Sequence, residues 1–518
     1  MIIETIKLHE MGLLPELFLG IGIIYMILHG VFVSFNGANK YPLIQSSVTF
    51  LGILILIMIC FLFYNNGLNN LNFISFCNTI SNDFLGLSSK MVITFSAIGC
   101  LIVIRQYLIT QRINAFEYII ILLFSILGLF LLCSSNDLMT AYLAIELQSL
   151  SFYLLAAFKK TSTYSIESGL KYFILGAFSS GLFLFGTSLI YGLCGSVNFE
   201  DLKDLLIFEG SFEHNMSSTA IQVSELQVIN QLVCIELVFV GLSFIFISLF
   251  FKLALAPFHL WSPDIYEGSP SSSTFFFTVI PKISIFVLLF RLSNYALSSF
   301  VNLWDNYIVI VAIGSVIVGS VAGLEQRKLK MLLAYSSIGH MGYLLISVSS
   351  GTSEGLQMLV SYIFVYMGSG LCIWSVFILT RLKTVYVKKQ NKDLGDLTLL
   401  RKSNSSLAFI LIIALFSLAG FPPMVGFLVK LSIFSVAIDQ SLYVVALIAI
   451  LFSVISTFYY LRIVKILYFE PVLVGRLYYP IKGYTSIVAV IMAYLFIYLF
   501  INPSMLFLLS YKISFLFV

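Results

Sequence analysis

The sequence predicts an all-α, polytopic membrane protein of about fourteen transmembrane helices, and three observations predict it. Hydrophobic residues make up 60% of the 518-residue chain and charged ones only 10%, with a mean hydropathy of +1.03. Soluble domains average roughly 45–50% apolar and about 25% charged, so no water-soluble fold hides this much apolar surface. The apolar residues run continuously. Barrel strands would alternate with period two over about ten residues, so the runs select helices. The basic residues, finally, separate by side. If odd-numbered spans exit to one face, its loops hold nineteen of the 28 lysines and arginines. The opposite face, with both termini, holds five, and four lie inside spans. That asymmetry supports the helix count and turns the basic face toward the cytoplasm-like compartment.

The spans fall near 12–33, 46–64, 89–108, 117–134, 138–158, 169–191 and 231–256, then 273–293, 306–324, 331–349, 356–381, 404–437, 441–466 and 484–502. Each of these is long enough to cross a bilayer, which takes about 20 residues. The segment 404–437 is too long for one straight crossing and carries Phe421-Pro422-Pro423 at its middle, which predicts a broken helix. Spans four to eight and nine to thirteen form two groups of five, and an odd number inverts the second group. The expected divisions are therefore a three-helix region (1–110), a first repeat (111–296), an inverted second repeat (297–468) and a C-terminal helix with its tail (469–518). The long loop near 192–230 is acidic and reads as a solvated surface loop. The start, MIIETIKLHEMG, is too charged for a signal-peptide core, so the first crossing is expected to insert uncleaved.

Several chemistries lack their ligands. The seven cysteines form no C-x-x-C pair or Cys/His cluster, so iron–sulfur, zinc and c-haem sites are not indicated. No G-x-G-x-x-G or P-loop marks a nucleotide site.

What stands out is charge inside the apolar runs. Glu146 lies in LMTAYLAIELQSLSFYLL, Lys252 in FIFISLFFKLALAPFH, Lys282 in FFFTVIPKISIFVLLF and Lys430 in MVGFLVKLSIF. Each costs on the order of 2.5–3.5 kcal/mol at a span centre, so each needs a partner or a wet cavity. One such lysine could snorkel to the interface; four ionisable groups on four spans point to a path for protons. Burial favours the neutral form of an amine and of a carboxyl, whereas pairing favours the charged forms. A change of pairing therefore moves a proton between neighbours. Lys171, at the start of the next span, is a candidate partner for Glu146, and which lysine Glu146 faces stays open. Lys252 precedes Pro257 by five residues and Lys430 follows Pro423 by seven, on corresponding spans of the two repeats. Broken helices so placed point to an ion site. His340 is either a hydrogen-bonded filler or a relay between the halves. The stretch PFHLWSPDIYEGSP holds Pro257, His259, Asp264 and Glu267. It is either an interfacial loop or a proline-pinned segment at the mouth of the path.

The motifs AIELQSL, GLKYFILGAFSSG, FKLALAPFHLWSPDIYEGSP, PKISIF, KMLLAYSSIGHMGY and FSLAGFPPMVGFLVK resemble the subunit-2 family of proton-pumping NADH:ubiquinone oxidoreductase, respiratory complex I. The resemblance is colinear from the third span to the thirteenth. It implies an antiporter-like subunit with two inverted five-helix repeats. By it, Glu146, Lys252, Lys282 and Lys430 fall on the family's proton-path positions, with Lys171 and His340 accessory. It also implies no cofactor in this chain, with NADH, FMN, iron–sulfur clusters and ubiquinone on partner subunits. The partners implied are other membrane-arm and accessory subunits and membrane lipids, cardiolipin among the candidates; no nucleic acid is expected. His340, AIELQSL and PKISIF lean toward mitochondrial members, which implies the inner mitochondrial membrane with basic loops in the matrix. The 49 Phe and 28 Tyr suggest an AT-rich organelle genome.

The alternative from another class is an Mrp-type monovalent cation/proton antiporter subunit. A sodium site would call for further carboxylates in the bundle, and only Glu146 and Glu236 are available.

Overall fold

The computed structural model describes residues 12–34, 45–67, 73–111, 113, 115–205, 225–298, 301–383, 388–390, 393–398, 400–470, 477–478 and 483–517. Three helices lead: α1 (Leu14–Ser34), α2 (Gln45–Gly67) and α3 (Phe84–Thr110). Then come α4 (Glu117–Ser134), α5 (Leu138–Ala156), α6 (Thr163–Cys194), α7 (Glu225–Leu253), α8 (Trp261–Gly268), α9 (Ser271–Val279) and α10 (Pro281–Phe290). The second half holds α11 (Val301–Leu324), α12 (Leu329–Ser349), α13 (Ser353–Leu379), α14 (Ser405–Ala419), α15 (Val425–Asp439) and α16 (Tyr443–Tyr468). The chain closes with α17 (Gly483–Ile501) and α18 (Ser504–Phe517).

Among the described residues, 12 helices are long and apolar enough to cross a membrane, α9 and α10 counting as one. The bent pair α17–α18, turned by 89°, makes a thirteenth if it is one span. The expected broken span at 404–437 is present as α14 and α15, each of 15 residues and too short to cross alone. Counting this pair and α17–α18 each as one crossing brings the described helices to about the expected fourteen.

Among the described residues, three breaks interrupt spans inside the bundle. Between α7 and α8 the chain passes through Ala254, in a left-handed conformation (φ 58), and a cis Ala256-Pro257 bond. Between α14 and α15 it passes through Gly420 (φ 81) and a cis Pro422-Pro423 bond. The third break departs from the continuous eighth span that hydropathy predicts. Span eight is cut at Ile280, because Pro281 has no N–H to continue the ladder and occupies the first turn of α10. Its last stretch, Arg291–Ala296, is a π-helix. This span is the centre of the molecule, buried along its whole apolar window.

Close helix approaches depend on missing side chains. A Cβ on Gly319 of α11 would overlap Gly339 of α12. One on Gly128 of α4 would lie 2.9 Å from the Gln148 nitrogen of α5. Small residues let backbones meet where dispersion, rather than water, drives packing.

Among the described residues, two small sheets depart from the expectation of plain loops. Strands β1 (Phe73–Ser75) and β2 (Ile80–Asn82) pair antiparallel ahead of α3. Strand β3 (Arg381–Lys383) pairs antiparallel with β4 (Lys388–Gln390) and β5 (Leu477–Tyr478). Of the expected acidic loop, Glu209 and Glu213 lie outside the described residues.

Candidate functional site: a row of buried cations

Lys252 sits on the last turn of α7, just before the first break. Its Nζ is buried and has no hydrogen-bond partner among the described residues. The Tyr153 ring of α5 stands 5.9 Å away, and Glu146, one helix face along, is the charge that acts on Lys252. Glu146 itself is half-buried on α5.

A cavity of about 20 Å³ separates Lys252 from Lys282, with Gln148, Ser149, Tyr172 and Trp261 among its lining. One water needs about 10–15 Å³ of such space and two or more polar partners. Gln148 Oε1, like Lys252 Nζ, is a buried atom without a partner among the described residues. A water there would accept from the ammonium and donate to the amide oxygen, satisfying both.

Lys282 follows the Pro281 break and is 6% exposed. Its Nζ donates to the Tyr366 hydroxyl of α13 at 2.8 Å, and that hydroxyl donates to the Thr278 carbonyl at 3.3 Å. The break explains the acceptor, since a carbonyl at the end of α9 lacks its helical donor. The Tyr366 ring lies 5.6 Å from the His340 ring, centre to centre.

His340 on α12 is held at both ring nitrogens. Nδ1 lies 2.7 Å from the Tyr362 hydroxyl and Nε2 3.0 Å from the Tyr460 hydroxyl. In a neutral imidazole one nitrogen donates and the other accepts, so the two hydroxyls play opposite roles. A proton entering on one side and leaving on the other would exchange the tautomers. Tyr343 continues the row, 6.3 Å from His340 by ring centres, and Lys430 Nζ stands 5.4 Å from the Tyr343 ring. Lys430 belongs to α15 but donates to the carbonyls of Leu418 and Ala419, at 2.8 and 3.0 Å, across the second break.

Glu146, Lys252, Lys282, His340 and Lys430 therefore fall along one interior line. Lys171 does not. Because α6 begins at Thr163, Lys171 is well inside the helix, yet it faces outward. It pairs with Glu167 at 2.9 Å and Asp264 at 3.5 Å rather than with Glu146. The proline-pinned stretch is mostly helix α8. Asp264 meets Lys171, Glu267 pairs with Lys328, and His259 is half-buried with Nδ1 unpartnered among the described residues. Pro257 lies in the first break and Pro422 and Pro423 in the second, all three exposed. Glu236 is exposed on α7, away from this line.

Sequence reasoning missed the bridging groups: Tyr366, Tyr362, Tyr460, Tyr343 and Gln148. In a chain with 28 tyrosines, a tyrosine carries no signal of its own. The one hint is GHMGY, which sets Tyr343 close behind His340.

A family profile described as NADH:quinone oxidoreductase/Mrp antiporter, TM, matches residues 135–456. The chain belongs to that family. Every residue of the interior line lies within the match, apart from the last of the bridging tyrosines, Tyr460. Among curated relatives, NADH-ubiquinone oxidoreductase chain 2 of Marchantia polymorpha is 38% identical over 97% of this chain and 98% of that one. The same-named protein of Arabidopsis thaliana is 35% identical over 97% and 96%. NADH-quinone oxidoreductase subunit N of Pelagibacter ubique is 36% identical over 88% and 89%. Solved structures share the fold. A chain of respiratory complex I from Thermus thermophilus matches with a TM-score of 0.75 at 23% identity, covering 95% of this chain and 98% of that one. A chain of the Mrp complex from Dietzia matches with 0.76 at 17%, covering 97% of each.

Proposed function

We propose that this chain is an antiporter-like, membrane-arm subunit of a proton-translocating NADH:ubiquinone oxidoreductase, and that it carries protons along Glu146, Lys252, Lys282, His340 and Lys430. One observation carries the reading: three lysines at three helix breaks, joined by a water-sized cavity and a chain of tyrosine hydroxyls around a histidine. Each break frees backbone polar groups inside the bundle, where water is scarce. Lys430 and the Tyr366 hydroxyl take such carbonyls, whereas Lys252 stays unpartnered among the described residues beside the cavity.

The chain does not drive itself. Moving one charge against the membrane potential costs about 2.3 kcal/mol per 100 mV. In this reading, redox chemistry with NADH, FMN, iron–sulfur clusters and ubiquinone belongs to partner subunits. It reaches the lysine row as a change in the charge or position of Glu146, whose half-buried face is open to a neighbour. Lys171 acts as an outer accessory with Glu167 and Asp264. The divisions proposed are 1–110, the repeats 111–296 and 297–468, and 469–518, with the two proline breaks as equivalent points. The plant relatives support the inner mitochondrial membrane. In this reading the basic loops face the matrix, the partners are other membrane-arm and accessory subunits, and lipids such as cardiolipin cover the outer helices.

Lys252→Met in the assembled complex tests this. Protons pumped per NADH oxidised should fall several-fold with assembly intact; an unchanged ratio would remove Lys252 from the path. The fold shared with the Mrp complex keeps cation exchange as the second reading. Pumping that depends on sodium would favour it; pumping at full rate without sodium is the expected result.

A further inference from the structure

The cavity of about 20 Å³ between Lys252 and Lys282 lies where two of the breaks face each other. Leu253 and Ala254 line it from the first break, and Pro281 from the break in span eight. Several of its polar side chains are committed elsewhere. The Ser149 hydroxyl donates to the Glu146 carbonyl at 3.2 Å, and Trp261 Nε1 donates to the Phe251 carbonyl. Lys282 spends one N–H on the Tyr366 hydroxyl. Two lining residues keep a buried atom without a partner among the described residues: Lys252 its Nζ and Gln148 its Oε1. Buried polar atoms are almost always hydrogen-bonded, so a donor and an acceptor left over beside one water-sized space define a site for one water.

Gln148 is placed there by the helix it belongs to. It follows Glu146 by two residues, which turns it about 160° around α5 from the carboxylate. Gln148 therefore lines the cavity and Glu146 does not. At this level α4 packs against α5 through Gly128, where a Cβ would come 2.9 Å from the Gln148 nitrogen and 3.2 Å from its Cβ. The Gln148 side chain is a neutral amide, and among the described residues no carboxylate lines the cavity. A carboxylate in this place would pair with the ammonium, favour its charged form and hold the proton on Lys252. An amide oxygen accepts from water without adding that charge.

We infer that Gln148 is a positioning residue for proton transfer: its amide oxygen anchors the single water through which Lys252 and Lys282 exchange a proton. This rests on the proton path proposed above. With Lys252 protonated and Lys282 neutral, the water accepts from the Lys252 ammonium. It gives one hydrogen to Gln148 Oε1 and points the other at the lone pair of the Lys282 nitrogen. In the step, an N–H bond of Lys252 breaks as an O–H bond forms, and the water's O–H toward Lys282 breaks as an N–H bond forms. Lys252 becomes the amine and Lys282 the ammonium. The water now donates to Lys252 and accepts from Lys282, and its bond to Gln148 is the same before and after. The amide neither gains nor loses a proton. So anchored, the water exchanges the roles of its two lysine neighbours without turning over, and the direction of transfer is left to the charge on Glu146.

The test is Gln148→Met, close in size and length but without the acceptor, measured as the whole complex in sealed vesicles. Protons pumped per NADH oxidised should fall several-fold while NADH oxidation and assembly are retained; a role in packing alone predicts no change. Gln148→Asn, which keeps the acceptor and leaves room for one more water, should keep most of the ratio. Electron cryomicroscopy of the unaltered complex should show one water between Gln148 and Lys252, and that of the Met variant should show none. A full ratio in Gln148→Met overturns the inference, and so does a loss in Gln148→Asn equal to that in Gln148→Met. A dry cavity in the unaltered complex overturns it whether or not the variants assemble. Lys252→Met in parallel separates the two claims. If it lowers the ratio where Gln148→Met does not, only the role of Gln148 falls; if neither lowers it, the path itself falls.

Discussion

At the first proline break, α7 ends at Leu253 with Lys252 on its last turn, and Lys252 Nζ has no hydrogen-bond partner among the described residues. At the second, α14 ends at Ala419, and its carbonyls at Leu418 and Ala419 hold Lys430 from the helix on the far side of the break. Both are helix C-termini, which carry orphan carbonyls and the negative end of the helix dipole. The difference lies in who takes the carbonyls. At the first break the Phe250 carbonyl accepts from the Leu255 nitrogen, and that of Phe251 accepts from the Ala254 nitrogen and from Trp261 Nε1 at 2.9 Å. Trp261 is fixed by stacking on Tyr172, 4.9 Å between ring centres. Lys252 is left to Glu146 and the cavity. One backbone device thus yields a held cation at one end of the row and a free one at the other, and a free cation is the one that can answer a change in Glu146.

That contrast can be broken in order of expected effect. Glu146→Gln removes the charge that Lys252 answers to, and pumping per NADH should fall several-fold, with little loss of assembly because Glu146 is only half-buried. Tyr366→Phe removes the hydroxyl that stands between Lys282 and the histidine. A fall in pumping is expected beside a stability loss of about 1 kcal/mol, read by thermal unfolding of the isolated complex. Trp261→Phe frees a lone pair on the Phe251 carbonyl and draws Lys252 away from the cavity, so pumping should decline partially; full pumping would show that Trp261 does not keep Lys252 free. Glu267→Gln should change least. Its pair with Lys328 is solvent-exposed, and such pairs contribute about 0–1 kcal/mol, so pumping should be unaltered.

How much of the path is legible in the sequence depends on what hydropathy measures. The Pro422-Pro423 break can be read because two prolines interrupt a run too long for one crossing. The Pro281 break cannot, since proline in a first helical turn leaves the apolar run unbroken. Lys252, Lys282 and Lys430 stand out as charges among apolar neighbours. Lys90 and Arg291 do not, because a charge near the end of a run lowers the local average whether it is solvated or paired inside. Both read as span-end charges on the basic-poor face in the sequence, and both are buried. Lys171 misleads in the opposite sense, since its apolar surroundings in sequence coexist with an outward direction on the helix. Pairing across elements, such as His340 with Tyr460 or Lys282 with Tyr366, has no local signature at all. It depends on contacts 120 and 84 residues apart.

The central claim is that one continuous row carries the proton, and Lys282 is its joint, with the cavity on one side and Tyr366 on the other. The direct measurement is protons pumped per NADH oxidised by the assembled complex carrying Lys282→Met. A several-fold loss with NADH oxidation retained is the predicted result, and a ratio equal to that of the unaltered complex would contradict the account.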